Sequence, residues 1–188
     1  MRKLKLQIQV SLDGFVAGPN GELDWMTWTL DGKIEEFINA LTDSSDTILL
    51  GRKMTDGFMN YWTSVLDKPD SPEYSFAKKM VDTPKVVFSK TLEKSTWVNT
   101  VLAKGNLADE IASLKKQTGK DIIVYGGANF VTNLINENLI DELNLFVNPA
   151  AIGKGMQIFT GRANFKLTKT QAYDCGIVVN TYQPLNRQ

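Results

Sequence analysis

Histidine is absent from this 188-residue chain, and cysteine occurs once, as Cys175. The first absence removes the usual general base at neutral pH and the commonest zinc ligand. Ser–His and Cys–His nucleophilic sites are excluded with it, and no ligand set remains for a structural zinc; no metal is expected. A single cysteine forms no intrachain disulfide, which fits a reducing compartment, so a cytoplasmic location is expected. No stretch approaches the ~20 apolar residues of a membrane span. Met1–Leu4 lead straight into an alternating pattern with no apolar signal core. Net charge is lacking too: Lys+Arg and Asp+Glu are both 21. Without a long basic run, neither nucleic acid nor a membrane is an expected partner. What remains is chemistry by carboxylates, Lys, Tyr, water or a bound cofactor, acting on a small molecule.

What is present is an ordinary globular composition, 43% hydrophobic and 22% charged, enough for one sizeable core over residues 1–188. Leu4, Leu6, Ile8 and Val10 alternate with Lys5, Gln7 and Gln9, the period of a strand. A glycine-rich loop runs from Ser11 to Trp28. Ile34, Phe37, Ile38 and Leu41 share one helical face. Further strands are expected at 47–50, 85–89, 97–102, 122–125, 141–149, 166–173 and 177–184. Helices are expected at about 53–60, 74–81 and from Ala128 to Asn136, and one capped by Asn106 runs to Lys116. Strands alternating with helices, then strands alone, indicate an α/β fold. Its sheet is mostly parallel, with antiparallel C-terminal edge strands and helices on both faces.

Two places pair a buried strand with a glycine turn and a helix start: Ile48 to Lys53, around Gly51, and Ile122 to Phe130, around Gly126 and Gly127. A helix N-terminus offers unpaired N–H groups and a positive dipole end, so each can hold a phosphate. Alternatively, Gly126-Gly127 simply turns the chain. Neither G-x-G-x-x-G nor a P-loop motif is present. Arg52, Lys53, Ser89 and Lys90 follow strand ends and form a second pattern, suited to the 2′-phosphate of NADPH. The bland reading of Lys53 and Lys90 is solvated surface charge.

These motifs, in order, resemble the dihydrofolate-reductase-like superfamily. Ser11 to Ala17, Gly21 and Asp24-Trp25 are similar to its first strand and mobile active-site loop, Leu50 to Lys53 to its Gly-Arg cofactor turn, and Val86 to Ser89 to the strand at the 2′-phosphate. Ile123 to Gly127 resembles its Gly-Gly pyrophosphate turn. Asp141 to Pro149, with Gly153-Lys154-Gly155 and Phe159, is similar to the riboflavin-type reductase domain. The resemblance implies a three-layer fold of that superfamily and a bound NADPH, with hydride passing to a C=N or C=O of a small heterocycle. That substrate would be a riboflavin-pathway pyrimidine of the 5-amino-6-(5-phosphoribosylamino)uracil type, or a pterin or dihydrofolate. By the same carry-over Val16 and Ala17 flank the nicotinamide, and Gly51, Arg52, Lys53, Ser89 and Gly126, Gly127, Ala128, Asn129 and Phe130 hold the phosphates and adenosine. The family analogy adds a cis Gly126–Gly127 peptide and a homodimer through the C-terminal strands.

Departures from the pattern matter. Glu35, in the first helix, stands near where a pterin-binding acid is expected, yet it lies off the apolar face and reads equally as solvated charge. The threonine that partners such an acid is replaced by Phe146, and Met54 stands where the cofactor turn carries threonine, with Thr55 one place later. Asp13 is the other acidic candidate, for substrate binding or proton delivery; the competing reading is a turn-forming Asp-Gly pair. Trp25, Trp28, Phe58 and Trp62 are candidates to face a planar substrate, or to pack in the core. No deaminase with its H-x-E…P-C-x-x-C signature fits in this chain. The alternative to a reductase is a non-catalytic nucleotide-binding homodimer, a sensor or partner subunit.

Overall fold

The computed structural model describes residues 1–185. In chain order its elements are β1 (Leu4–Val10), α1 (Gly32–Asp43), β2 (Ser45–Gly51), α2 (Arg52–Leu66), α3 (Tyr74–Asp82), β3 (Lys85–Phe88), β4 (Thr100–Ala103), α4 (Leu107–Lys116), β5 (Asp121–Gly126), α5 (Ala128–Asn136), β6 (Glu142–Val147), β7 (Phe165–Ala172) and β8 (Val178–Pro184). The strands form one eight-stranded sheet in the order β4-β3-β2-β5-β1-β6-β8-β7. From β4 to β6 every pairing is parallel, and β6–β8 and β8–β7 are antiparallel. Parallel neighbours need crossovers, and the helices supply them.

Side-chain parity sorts the core. Leu4, Leu6, Ile8 and Val10 of β1 face one side, with Val124 and Leu143, and are covered by Ile111 of α4 and by Val131, Leu134 and Ile135 of α5. On the opposite side Ile48, Leu50, Val87 and Ile123 meet Met80 of α3 and Phe58 and Trp62 of α2. α1 places Ile34 and Phe37 over Phe146, Tyr173, Ile177 and Val179. Strands covered on both faces, such as Ile122-Ile123-Val124, therefore read as unbroken apolar runs. β1 alternates because its second face carries Lys5, Gln7 and Gln9. Truncating a fully buried residue such as Leu6 to Ala would cost about 2–5 kcal/mol.

Three local features differ from the sequence expectation. α2 continues to Leu66, because Trp62 and Val65 extend its buried side past Asn60. β4 begins at Thr100, since Asn99 takes a left-handed φ of 50° and Trp97 turns instead toward α2. No cis peptide bond occurs among the described residues, which corrects the expectation at Gly126–Gly127. Positive φ angles of 148° and 90° at these two glycines bring the end of β5 against β2 with a trans bond. The caps follow the sequence: Asn106 accepts from the N–H of Ala108 and Asp109, and Asp31 caps α1 through Lys33 and Ile34. Lys85 is buried at 1% exposure and donates to the carbonyls of Met80, Val81 and Thr83 at 2.6–2.9 Å, closing the C-terminus of α3.

Candidate active site

The parallel register aligns the C-terminal ends of six strands: Val10 pairs with Val147, Gly51 with Phe88, Leu50 with Gly126 and Phe88 with Ala103. In open α/β sheets ligands bind outside these ends. Here α2 starts at Arg52 with Gly51 as N-cap, and α5 starts at Ala128 with Gly127 as N-cap. The two caps touch. A Cβ on Gly51 would lie 3.0 Å from the Gly127 Cα, and one on Gly127 would lie 2.8 Å from the Gly51 Cα. Only glycine at both positions lets the strand ends approach this closely. Neither helix has a side-chain cap, unlike α1 and α4. Two sets of unpaired N–H groups and two positive dipole ends are thus presented side by side. This donor set fits a diphosphate, with no Cβ between the backbone and an anion.

The departure at position 54 has a physical account. Met54 covers Gly126, its Sδ standing 3.2 Å from where a Cβ would be. Thr55 is fully buried, and its hydroxyl donates back to the Gly51 carbonyl at 3.0 Å. The hydroxyl expected at position 54 is therefore not replaced by its neighbour.

Arg52 and Ser89 each follow the end of one of two paired strands, Gly51 of β2 opposite Phe88 of β3. The Arg52 guanidinium is engaged: Nη1 lies 3.1 Å from Asp56 Oδ2, and the group sits 5.1 Å from the centroid of the Trp97 ring. Asp56 Oδ1 accepts from Trp97 Nε1 at 3.0 Å. Ser89 is buried and its Oγ accepts from the Leu92 N–H at 3.2 Å, capping the turn that follows β3. Lys53, Lys90 and Asn129 are exposed. Ala128 and Phe130 pack against the main core, with Phe130 4.9 Å from the Phe88 ring.

The loop after β1 is fastened rather than free. Leu12 N–H donates to Ala150 O at 2.7 Å, Val16 N–H to Met156 O at 2.8 Å, and Met156 N–H to Ala17 O at 2.8 Å. A Cβ on Gly155 would overlap the Ala17 carbonyl. Asp13 forms the central tie. Its carboxylate accepts from Ser11 Oγ at 2.6 Å and from the N–H groups of Ile152 and Gly153 at 3.1 and 2.7 Å. The Ser11 hydroxyl, then the Gly153 amide, hold its pKa below the usual carboxylate value, so at neutral pH it is an acceptor and not a proton donor. The sequence reading passed over Asn148. It is fully buried, donates to Gln9 Oε1 at 2.7 Å, and accepts from the Thr27 N–H at 2.8 Å, pinning the far end of the loop. The one signal for it was an Asn-Pro pair at a strand end.

The other candidates scatter. Glu35 is exposed on α1, while Phe146 is buried 5.9 Å from Phe37. Trp25 is half-buried and donates from Nε1 to Glu22 O at 3.2 Å; Trp28 is 63% exposed. Phe58 stands 5.9 Å from Tyr125, the residue before Gly126. Trp62, a turn further along, is edge-on to Phe76 at 5.2 Å and packs α2 on α3. The Tyr125 hydroxyl bonds Thr42 Oγ1 at 2.9 Å, and burial pushes its pKa up.

The order of this sheet, with its antiparallel edge and adjacent strand-end glycine turns, defines the dihydrofolate-reductase-like fold. Dihydrofolate reductase from Enterococcus faecalis, in a complex with NADP(H), shares it at a TM-score of 0.60 and 14% identity, over 98% of this chain and 97% of that one. A putative riboflavin biosynthesis protein from Shewanella sp. PV-4 superimposes at 0.75, with 24% identity over 99% of this chain and 100% of its own. The chain belongs to the RibD C-terminal domain family, whose model matches residues 2–179. It is 35% identical over 186 residues to the uncharacterized protein YyaP of Bacillus subtilis (strain 168), covering 96% of this chain and 94% of that protein.

Proposed function

We propose that this protein is an NADPH-dependent reductase of a small planar heterocycle, a pyrimidine or pterin-like compound. The observation that carries the reading is the pair of uncapped helix N-termini meeting at Gly51 and Gly127, a donor arrangement matched to the diphosphate of a dinucleotide. Membership of the RibD C-terminal domain family supports it, as does a fold shared with a reductase that binds NADP(H). Bound there, the dinucleotide supplies a hydride to a C=N or C=O group.

The chain's own residues bind and orient. First-turn N–H groups of α2 and α5 hold the diphosphate, and Arg52 and Ser89, with Lys53 and Lys90, face the adenosine end. Val16 and Ala17, fixed by Met156, flank the nicotinamide, and Trp25 and Phe58 border the substrate. Asp13 acts by holding the loop. The protein works in the cytoplasm as a homodimer joined through the C-terminal strands. A second reading, nucleotide binding without turnover, is favoured by one observation: Asp13 is bonded to three donors and kept ionised.

The test is titration of the purified protein with NADPH and, separately, NADH, following quenching of its four tryptophans. Saturable NADPH binding is expected. Absence of binding to either dinucleotide by folded protein would refute both readings. Oxidation of NADPH by a panel of pyrimidines and pterins then separates the reductase from the non-catalytic binder.

A further inference from the structure

The contact between Arg52, Asp56 and Trp97 lies outside what the diphosphate site requires. Arg52 is the first residue of α2, and Asp56 follows it by one turn on the same helix. Trp97 comes from the connection between β3 and β4, so the start of α2 and that connection meet through one carboxylate. Each oxygen of Asp56 has its own partner: Oδ2 takes the Arg52 guanidinium at 3.1 Å and Oδ1 takes Trp97 Nε1 at 3.0 Å. The guanidinium is further held over the Trp97 ring at 5.1 Å, a cation–π distance. An Arg52 paired in this way has its charge neutralised and its donor fork turned toward α2. It follows Gly51, which pairs with Phe88 just before Ser89, at the end where our reading of the site places the adenosine ribose.

We propose that Asp56 is a specificity-determining residue that weakens the preference of this site for a 2′-phosphate. Resting on the dinucleotide reading above, the inference concerns its adenosine end. A 2′-phosphate carries ~1.5–2 negative charges at neutral pH. To engage it, Arg52 must leave Asp56, and the carboxylate then remains as a like charge nearby. NADH meets neither cost, because its ribose carries a neutral hydroxyl there. The pair is half-exposed, so the attraction between its members is modest. The larger effect is the uncompensated carboxylate, which repels the phosphate within a Debye length.

Asp56→Asn isolates the charge, since its amide oxygen still accepts from Trp97 Nε1 and the Trp97 position is retained. Tryptophan-quenching titrations of native and variant protein with NADPH and NADH, at low and at high salt, provide the measurement. The variant is expected to bind NADPH about tenfold more tightly with NADH unchanged, and the gain should shrink at high salt. Arg52→Ala should abolish the discrimination in either background. If both affinities move together, Asp56 is a structural clasp and the proposal is overturned. It is equally overturned if the native chain binds both dinucleotides and Asp56→Asn changes neither. If the native chain binds neither, the dinucleotide reading itself fails, and this inference with it.

Discussion

Gly51→Ala tests the proposed diphosphate site most directly, because its cost is steric and not conformational. The residue has φ −70° and ψ 137°, which any amino acid adopts. The added Cβ, however, would lie 3.0 Å from the Gly127 Cα, 3.1 Å from the Phe130 Cβ and 3.3 Å from the Gly126 carbonyl oxygen. Carbon atoms prefer ~3.5–4.0 Å, so β2 and β5 must separate by roughly half an ångström. Overpacking of this kind costs ~1–3 kcal/mol, offset by ~0.4–1 kcal/mol from the stiffer unfolded chain. A net loss of about 1–2 kcal/mol lowers Tm by roughly 2–8 °C for a chain of this size.

The effect on binding is separable and larger. If one diphosphate spans the first turns of α2 and α5, moving those turns apart leaves good geometry to one of them. Loss of a charge-assisted hydrogen bond costs ~1.5–3 kcal/mol, so Kd for NADPH should rise about 10- to 100-fold. Thermal melting by circular dichroism and tryptophan quenching by NADPH measure the two quantities on the same sample. Gly57→Ala is the control: it lies within α2, and nothing stands within 4 Å of its added Cβ. It should stabilise the helix by up to ~1 kcal/mol and leave NADPH binding alone. A Gly51→Ala protein that melts lower but binds NADPH as tightly as native would refute the placement of the phosphates across these two helix starts.

Two further predictions concern stability and its pH dependence. Lys85→Met removes the ammonium that closes α3 and leaves three carbonyls without their donor, a loss of about 1–3 kcal/mol at pH 7. Burial pushes the Lys85 pKa down to about 8, with Asp82 opposing, so between pH 8 and about 10.5 the unfolded chain holds a proton that the folded one has released. Native stability relative to the variant therefore rises with pH across that window, by at most ~3 kcal/mol; urea titrations giving a constant difference from pH 7 to 10.5 would contradict this. Asp13→Asn should loosen the tie between residues 11–17 and 150–156 and expose it to limited proteolysis at neutral pH. Because the Asp13 pKa is depressed in the fold, its contribution is present above the ordinary carboxylate pKa and lost as pH falls through the lowered one. The melting temperatures of native and variant should accordingly converge below about pH 4, and curves that stay parallel to pH 3 would show that the carboxylate ties nothing.

The parts of this molecule that were legible in the sequence are those governed by local pattern. The alternation in Leu4–Val10, the unbroken run Ile122–Val124, the Asn106 cap and the two glycine turns each obey a rule acting over a few residues, and each forms the expected element. The pairing of the strands that precede Arg52 and Ser89 was legible too, from two apolar runs each followed by a polar turn. What was not legible depends on partners far apart in the chain. Asp13 reads as a turn residue or an acid from its neighbours alone; Ile152 and Gly153, about 140 positions away, determine that its carboxylate is consumed by backbone donors. Asn148 is another such case, joined to Gln9 and Thr27. Trp97 passed for a strand residue until Asp56 gave its indole N–H a partner.

This division bears on how the site tolerates change. Its proposed donors are the first-turn main-chain N–H groups of α2 and α5, which no side-chain substitution removes so long as Gly51 and Gly127 stay. Replacement of a hydroxyl at position 54 by Met54 thus reshapes the covering of Gly126 without deleting the helix dipoles beneath it. At the proposed adenosine end the donors are side chains, and there the Asp56 carboxylate engages the Arg52 guanidinium. On the proposed reading, selectivity between dinucleotides should shift through single substitutions at Arg52 and Asp56, while loss of diphosphate binding should require movement of the backbone.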